Sequence, residues 1–423
     1  MTGKRRAGKD PIQPPISSHA PPVVMAPQQS RRQARLERKK QQRKRIGLAG
    51  GAAIAVAVIV AVGAVAFGVH KATEDSGTTV RSQSTVLLQL QAPDGTAEGS
   101  VLLAHDTNGN EGLELLVPSR VITDVCGYNS LDFGKVLGLP SGDAASRQAL
   151  SGMLENVTID GSWVLTEAQL AKLINRVGGV TVDVDTDVVR RTGGGGGQIL
   201  VAAGQARQLD GTQAVEYATY RASAHEDAAA QLARLQQVVD GMIVKLPTGA
   251  ALSADLRVLG PGGSSTLGAT KLASLLAGIK SADQVAGHVL PIDLPTAPID
   301  TGGAPSYRID NDNAAKLANN NLKSSLPDDA GQHRPTVELL NGVGTPGLIA
   351  RACPRLQAHR LVYAGSGNAA FTNQPSVVEV SNSQIDLGYT VASALGLPRS
   401  AVRRTSQNQS VADVIVILGR DFK

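Results

Sequence analysis

The chain has 423 residues with 46 Gly, 11 aromatic residues and only 2 Cys, enough for two or three domains with real cores. So few cysteines exclude a disulfide framework and any metal site built on several thiolates. The formal charge of +5 is unevenly spread: residues 1–45 hold 13 Lys/Arg against 2 acids, residues 46–69 hold no charge, and the remainder nets −6. The basic excess is therefore a tail and not a nucleic-acid-binding body.

Residues 1–45 read as a basic tail, disordered over its Pro-, Ser- and Gln-rich part. Ile46 to Val69 is an uninterrupted apolar run of 24 residues. As a helix it would be about 36 Å long, enough to cross a hydrocarbon core of about 30 Å. It is too long for the apolar region of a signal peptide, so an uncleaved membrane anchor is expected. Arg43-Lys44-Arg45 precede it and only His70 and Lys71 follow before acids appear. The positive-inside rule then puts the N-terminus in the cytoplasm and residues 70–423 outside.

Residues 70–84 form a polar linker. From Val86 onward, short apolar runs alternate with amphipathic stretches, the pattern of an α/β domain. Val86–Leu88, Val101–Ala104 and Leu113–Val117 read as strands, and Asp143 as the cap of a helix through Leu154. Thr166 and Gln169 have the spacing of a capping box. Leu170, Leu173, Ile174 and Val177 follow at helical spacing, and Gly178-Gly179 stops the helix. Val180, Val182 and Val184 then alternate with polar residues as a half-buried strand. The glycines at 193–197 form a loop with no following Lys-Ser/Thr, so a phosphate-cradling P-loop is not supported. One helical stretch is expected over 211–244 with a break at 222–225, and further helices over 269–279 and 314–322.

A boundary falls at 324–333. Beyond it, Val337–Leu340, Leu361–Tyr363 and Val377–Val380 read as strands, with helices starting at Pro346 and spanning 384–395. Val414–Leu418 reads as a central strand covered on both faces. Cys353 shares a helical face with Ile349 and Leu356, which favours a buried free thiol over a bridge to Cys126, the alternative that an exported region leaves open.

No nucleophile elbow, zinc-ligand spacing, CxxC or nucleotide fingerprint occurs, and the seven histidines are scattered. His225-Glu226-Asp227, the tightest polar cluster, reads as a solvated turn. Tyr217 and Trp163 read as core aromatics.

Three separated motifs, Val337-Glu338-Leu339-Leu340-Asn341-Gly342, Gly344-Thr345-Pro346-Gly347-Leu348-Ile349-Ala350 and Val416-Ile417-Leu418-Gly419-Arg420-Asp421, make residues 334–423 closely resemble a LytR C-terminal domain. Residues 85–323 resemble a diverged LytR-CpsA-Psr (LCP) domain through Leu170 to Val184, Gly204-Gln205-Ala206 to Val215-Glu216-Tyr217, and Arg234-Leu235-Gln236-Gln237. The resemblance implies an α/β protein with one N-terminal transmembrane helix, an LCP-like domain and a small α/β C-terminal domain. It also implies envelope work on polyprenyl-pyrophosphate-linked glycopolymers, with peptidoglycan as an acceptor and no nucleic-acid partner.

Within that resemblance, Arg221 matches the second arginine of a Tyr-x-Arg-x-Arg motif, Arg234 matches a later Arg-Gln, and Arg120 lies one position out of register. These three are the expected pyrophosphate-binding residues, since guanidinium forks pair with phosphate oxygens. Thr219 and Gln231 replace two further arginines. Gln91 and Gly99 replace the carboxylates that would hold Mg2+, and Asp124 compensates only if the backbone differs locally. Three readings stand: transfer of a lipid-linked glycopolymer, a non-catalytic scaffold or binding protein, and, weakest, transcriptional control through the basic tail.

Overall fold

The computed structural model describes residues 81–191, 197–223, 226–258, 265–285, 288–299, 305–328, 334–370, 374–405 and 412–423. The basic tail, the apolar segment 46–69, most of the linker 70–84, most of the glycine loop and His225 lie outside the described residues. No helix among the described residues is long and apolar enough to cross a membrane.

The long apolar runs form an antiparallel meander of β1 (Gln83–Gln91), β2 (Ala97–Asp106) and β3 (Glu111–Val117). Their side chains are buried on both faces, as expected for a sheet with helices above and below. Val86, Leu88 and Leu90 enter one core, and Leu87, Leu102 and Leu115 enter the other. A hairpin of β4 (Ile122–Val125) and β5 (Asn129–Asp132) follows, then α1 (Phe133–Val136) and α2 (Gly142–Met153). β6 (Gly161–Thr166) returns parallel to β1.

α3 (Glu167–Arg176) starts with the expected capping box, in which Thr166 and Gln169 satisfy each other's backbone N–H. Gly178 and Gly179 take φ of 78° and 81°, which side chains disfavour, and the chain turns into β7 (Val180–Val184) with the expected alternation of burial. β8 (Val188–Arg191) pairs with β9 (Gly197–Val201), and β10 (Gly204–Leu209) pairs with β7. The long helical stretch is two helices, α4 (Gly211–Thr219) and α5 (Ala228–Lys245). The break is wider than expected because Tyr220 already leaves the helix with ψ of 133°, and Asp227 caps a new one through the Ala229 N–H. α6 (Gly249–Val258), α7 (Ala269–Asp283), β11 (Val289–Asp293), the hairpin β12 (Thr296–Ile299) and β13 (Ser306–Ile309), and α8 (Asn311–Asn321) complete the first domain. The main sheet has the order β11-β3-β2-β1-β6.

The second domain is built from β14 (Thr336–Asn341), α9 (Leu348–Ala358), β15 (Val362–Asn368), β16 (Val377–Ser381), α10 (Ile385–Leu395), β17 (Val402–Thr405) and β18 (Val414–Leu418), with sheet order β15-β14-β18-β16-β17. β18 is central as expected, but among the described residues the helices cover only one of its faces. Val414, Val416 and Leu418 are buried, while Ile415 and Ile417 are only half-buried. Both helices contribute to the single core on the face of Val337, Leu339, Val378 and Val380. A continuous apolar run cannot report whether its second face has a cover.

The cysteines also depart from expectation. Cys126 and Cys353 form a disulfide that joins the β4–β5 hairpin to α9, with Cα atoms 5.9 Å apart. The helical-face reading had the burial of Cys353 right, at 7% exposure, but Cys126 sits on a hairpin that the sequence pattern did not disclose. Next to the bridge, Gly127 lies so close to Ala350 that a Cβ there would stand 2.9 Å from its Cα. Asn129 accepts a hydrogen bond from Ser366 on β15 at 2.8 Å.

Candidate functional site

In the first domain, β1, β3, β6 and β11 all run the same way. Their carboxyl ends meet at one edge of the sheet, where open α/β sheets place ligands. Gln91 ends β1, Ser119 and Arg120 follow β3, and the 220–227 segment between α4 and α5 carries Arg221. Sequence reasoning thus gathered its candidates on neighbouring elements. Their side chains have different fates.

Arg234, on α5, is 2% exposed, and five hydrogen bonds engage its five N–H groups. Nε donates to Asp185 Oδ1 at 3.0 Å and Nη2 donates to Asp185 Oδ2 at 3.2 Å and to Glu226 Oε1 at 2.7 Å. Nη1 donates to Glu226 Oε2 at 2.9 Å and to the Tyr220 carbonyl at 2.7 Å. The guanidinium carbon also lies 5.7 Å from the centre of the Tyr220 ring. Burial works against the Arg234 charge, and the bonds to Glu226 and Asp185 outweigh it, leaving the group above its ordinary pKa. Burial likewise disfavours the Glu226 carboxylate, yet Arg234 and the Ala222 N–H hold its pKa below the usual range. In this structure the fork expected to meet a pyrophosphate is occupied by two carboxylates of the chain itself. Glu226 is consequently no solvated-turn residue, with a side chain only 14% exposed.

The neighbouring positions are filled as well. Gln231, in place of an arginine, is 1% exposed and donates to the Ala218 carbonyl at 2.7 Å, tying the end of α4 to α5. Gly99 pairs with Leu90 and faces α5, where a Cβ would meet Leu235 Cδ2 at 2.6 Å. Gln91 turns its amide to the Gly95 carbonyl. Asp124 accepts from Ser130 across its own hairpin.

Magnesium needs oxygen ligands that carry charge. Gln91 and Gly99 bring no carboxylate, and Asp185 and Glu226 are taken by Arg234. The residues present do not fit the ion. Among the described residues, no group of three His, Cys, Asp or Glu is placed to hold a metal.

Arg221 is not closed over in the same way, whereas Arg120 is half-buried. Arg221 is exposed and makes one long contact, 3.5 Å, with Ser119 Oγ. Arg120 donates to Ser306 Oγ at 3.3 Å. Between them stands a group that sequence reasoning missed. The Tyr307 hydroxyl donates to Asp227 Oδ1 at 2.9 Å and accepts from the Ala228 N–H at 3.4 Å. Burial pushes the Tyr307 phenol up, and its bond to Asp227 adds to the rise. Tyr217 is fully buried, as expected, and donates to Asp185 Oδ1 at 3.1 Å and to the Asp183 carbonyl at 3.0 Å. Asp185 follows a strand whose alternation marked its polar residues as outward; nothing local identified it as an arginine partner. The arrangement leaves one exposed guanidinium beside serine hydroxyls, over a buried and self-neutralised centre. Among the described residues, such a surface can bind an anion.

Comparisons with known proteins place these domains. Residues 137–323 match the LytR_cpsA_psr family, and residues 334–422 match the family described as LytR cell envelope-related transcriptional attenuator. B. subtilis TagV is 14% identical over 59% of this chain and 98% of its own, with a TM-score of 0.47. B. subtilis TagT is 16% identical over 60% and 95%, with a TM-score of 0.47. TagT with bound octaprenyl pyrophosphate lipid is 16% identical over 60% and 94%, with a TM-score of 0.45. No curated protein matches the chain.

Proposed function

On the premise that the chain carries a LytR-CpsA-Psr domain followed by a LytR C-terminal domain, we propose that it serves in cell-envelope assembly by binding a polyprenyl-pyrophosphate-linked glycopolymer without transferring it. The observation that carries this reading is the closed Arg234 centre. Transfer would need positive groups and a metal free to meet charge as it develops on the leaving pyrophosphate. Here that fork is satisfied by Asp185 and Glu226, and Gly99 is sealed against Leu235. Binding needs less. Arg221 remains exposed, with Arg120 one residue from the Ser119 it touches. TagT, one of the similar structures, has octaprenyl pyrophosphate lipid bound, a ligand of this class.

The same reading makes Ile46 to Val69 a membrane anchor and puts residues 70–423 outside the cytoplasm. The Cys126–Cys353 bridge supports this location, since disulfides persist in oxidising compartments. It also favours a second reading, a scaffold with no lipid ligand, because it holds the two domains as one piece.

Octaprenyl pyrophosphate titrated into the full chain in detergent, with magnesium, tests the proposal. The expected result is a rise in melting temperature that Arg221→Ala abolishes, with no pyrophosphate bond cleaved. Cleavage lost in Arg221→Ala would restore the transferase reading. Neither binding nor cleavage would leave only the scaffold.

A further inference from the structure

Arg234 presents two pairs of donors, and the chain fills each pair with a different carboxylate. Asp185 takes the flank of the fork, with Nε bonded to Oδ1 at 3.0 Å and Nη2 to Oδ2 at 3.2 Å. Glu226 takes the tip, where Nη2 donates to Oε1 at 2.7 Å and Nη1 to Oε2 at 2.9 Å. Such a pair of parallel N–H groups is what a phosphate meets bidentately. Two carboxylates on one guanidinium also leave the cluster with negative charge in excess.

The two seats are not equally firm. Asp185 directly follows β7 and also accepts from the buried Tyr217 hydroxyl at 3.1 Å, so the sheet and α4 fix its place. Glu226 stands on the segment between α4 and α5. Among the described residues, its carboxylate has one other donor, the Ala222 N–H of that same segment at 2.8 Å. Arg221, Ala222, Ser223 and Asp227 around it are exposed, and the Glu226 side chain keeps 14% of its own surface exposed. A turn of this side chain about its own bonds would deliver the carboxylate to solvent, with Asp185 still on the flank of the fork.

Exchange of this kind avoids the penalty for breaking a buried pair. Phosphate oxygens accept from the tip as Glu226 leaves, and Glu226 gains water, so no charge is left alone. It also removes the excess negative charge, because Arg234 with Asp185 alone is neutral. Exposed Arg221 then lies one residue from the N–H that Glu226 releases. Held in place, by contrast, Glu226 both occupies the tip and repels an anion. We propose, on the carrier-lipid reading above, that Glu226 is a built-in competitor. Its carboxylate holds the tip of the Arg234 fork until a lipid pyrophosphate takes its place, and so sets how tightly the chain holds that ligand.

Dissociation constants of octaprenyl pyrophosphate for the full chain in detergent test this. Glu226→Gln keeps the side-chain shape but offers one acceptor to a tip with two donors. It should bind the lipid at least tenfold tighter than the parent. Hydrogen–deuterium exchange gives a readout in the parent itself: saturating lipid should speed exchange at the Ala222 amide, which loses its acceptor when Glu226 leaves. A folded Glu226→Gln chain that binds no tighter than a binding parent overturns the proposal and leaves the binding reading intact. Where that variant does not fold, unchanged or slowed exchange at Ala222 in the lipid-saturated parent does the same. Binding by Glu226→Gln alone would support the competitor and sink the reading of the parent as a lipid binder. No binding by either chain would overturn both.

Discussion

The two domains treat charge in opposite ways. In the first, Arg234 is buried and spends every donor on Asp185, Glu226 and the Tyr220 carbonyl. In the second, Glu379 and Arg403 stand side by side on the sheet face opposite the helices, with no hydrogen-bond or ion-pair partner among the described residues. A saturated buried ion cluster is expensive to break and contributes to structure, since each charge left alone would be unsolvated. Unpartnered charges at a cleft contribute little to stability and remain available to a ligand. The contrast separates groups that hold this fold from groups that can act.

The sharpest way to break the comparison is Arg234→Ala, which leaves two carboxylates facing each other in a largely buried space. A loss of about 3 kcal/mol is expected in chemical denaturation, at the low end for a broken buried pair because Asp185 and Glu226 keep some exposure. A loss near zero would mean that the cluster is not structural.

Replacing Cys126 and Cys353 with serine tests whether the two domains stay joined. Opening a loop of 227 residues should cost about 2–4 kcal/mol and expose the second domain to limited proteolysis.

Acid gives a smaller, signed effect. The folded-state pKa of Glu226 is depressed, so its contribution is complete above the unfolded carboxylate value of about 4.3 and disappears as pH falls through the folded value. Denaturation midpoints should therefore fall more steeply in the parent than in Glu226→Gln over that acid range.

Smallest of all, Glu379→Gln and Arg403→Gln should each change stability by no more than about 0.5 kcal/mol. A larger loss would mean that these two charges are structural after all.

Local signals were legible in the sequence, and distant partnerships were not. The Thr166–Gln169 capping box, the helix after it and the alternating β7 could be read because each depends on residues within a few positions. The same holds for the Leu/Val runs of β1 to β3. The break after Tyr220 was seen but placed too narrowly, since Asp227 as a fresh helix cap competes with a turn reading.

Arg120, Arg221 and Arg234 were found by resemblance, and the sheet edge does bring their elements together. What decided their roles lay far off in sequence. Asp185 is 49 residues from Arg234, Tyr307 is 80 residues from Asp227, and Cys353 is 227 residues from Cys126. Periodicity and capping carry no information over such separations. The open face of β18 was hidden for a related reason: Ile415 and Ile417 are as apolar as buried strand residues, so only the placement of α9 and α10 reveals which side lacks a cover.

The disulfide gives the molecule a load path. Cys126 belongs to the turn closing the hairpin whose first strand begins two residues after Arg120, and Cys353 belongs to α9 of the second domain. Any pull between the two domains would run through this covalent strut as well as through the peptide linker at 324–333. The force would arrive at the segment that holds Ser119 and Arg120, beside the exposed Arg221.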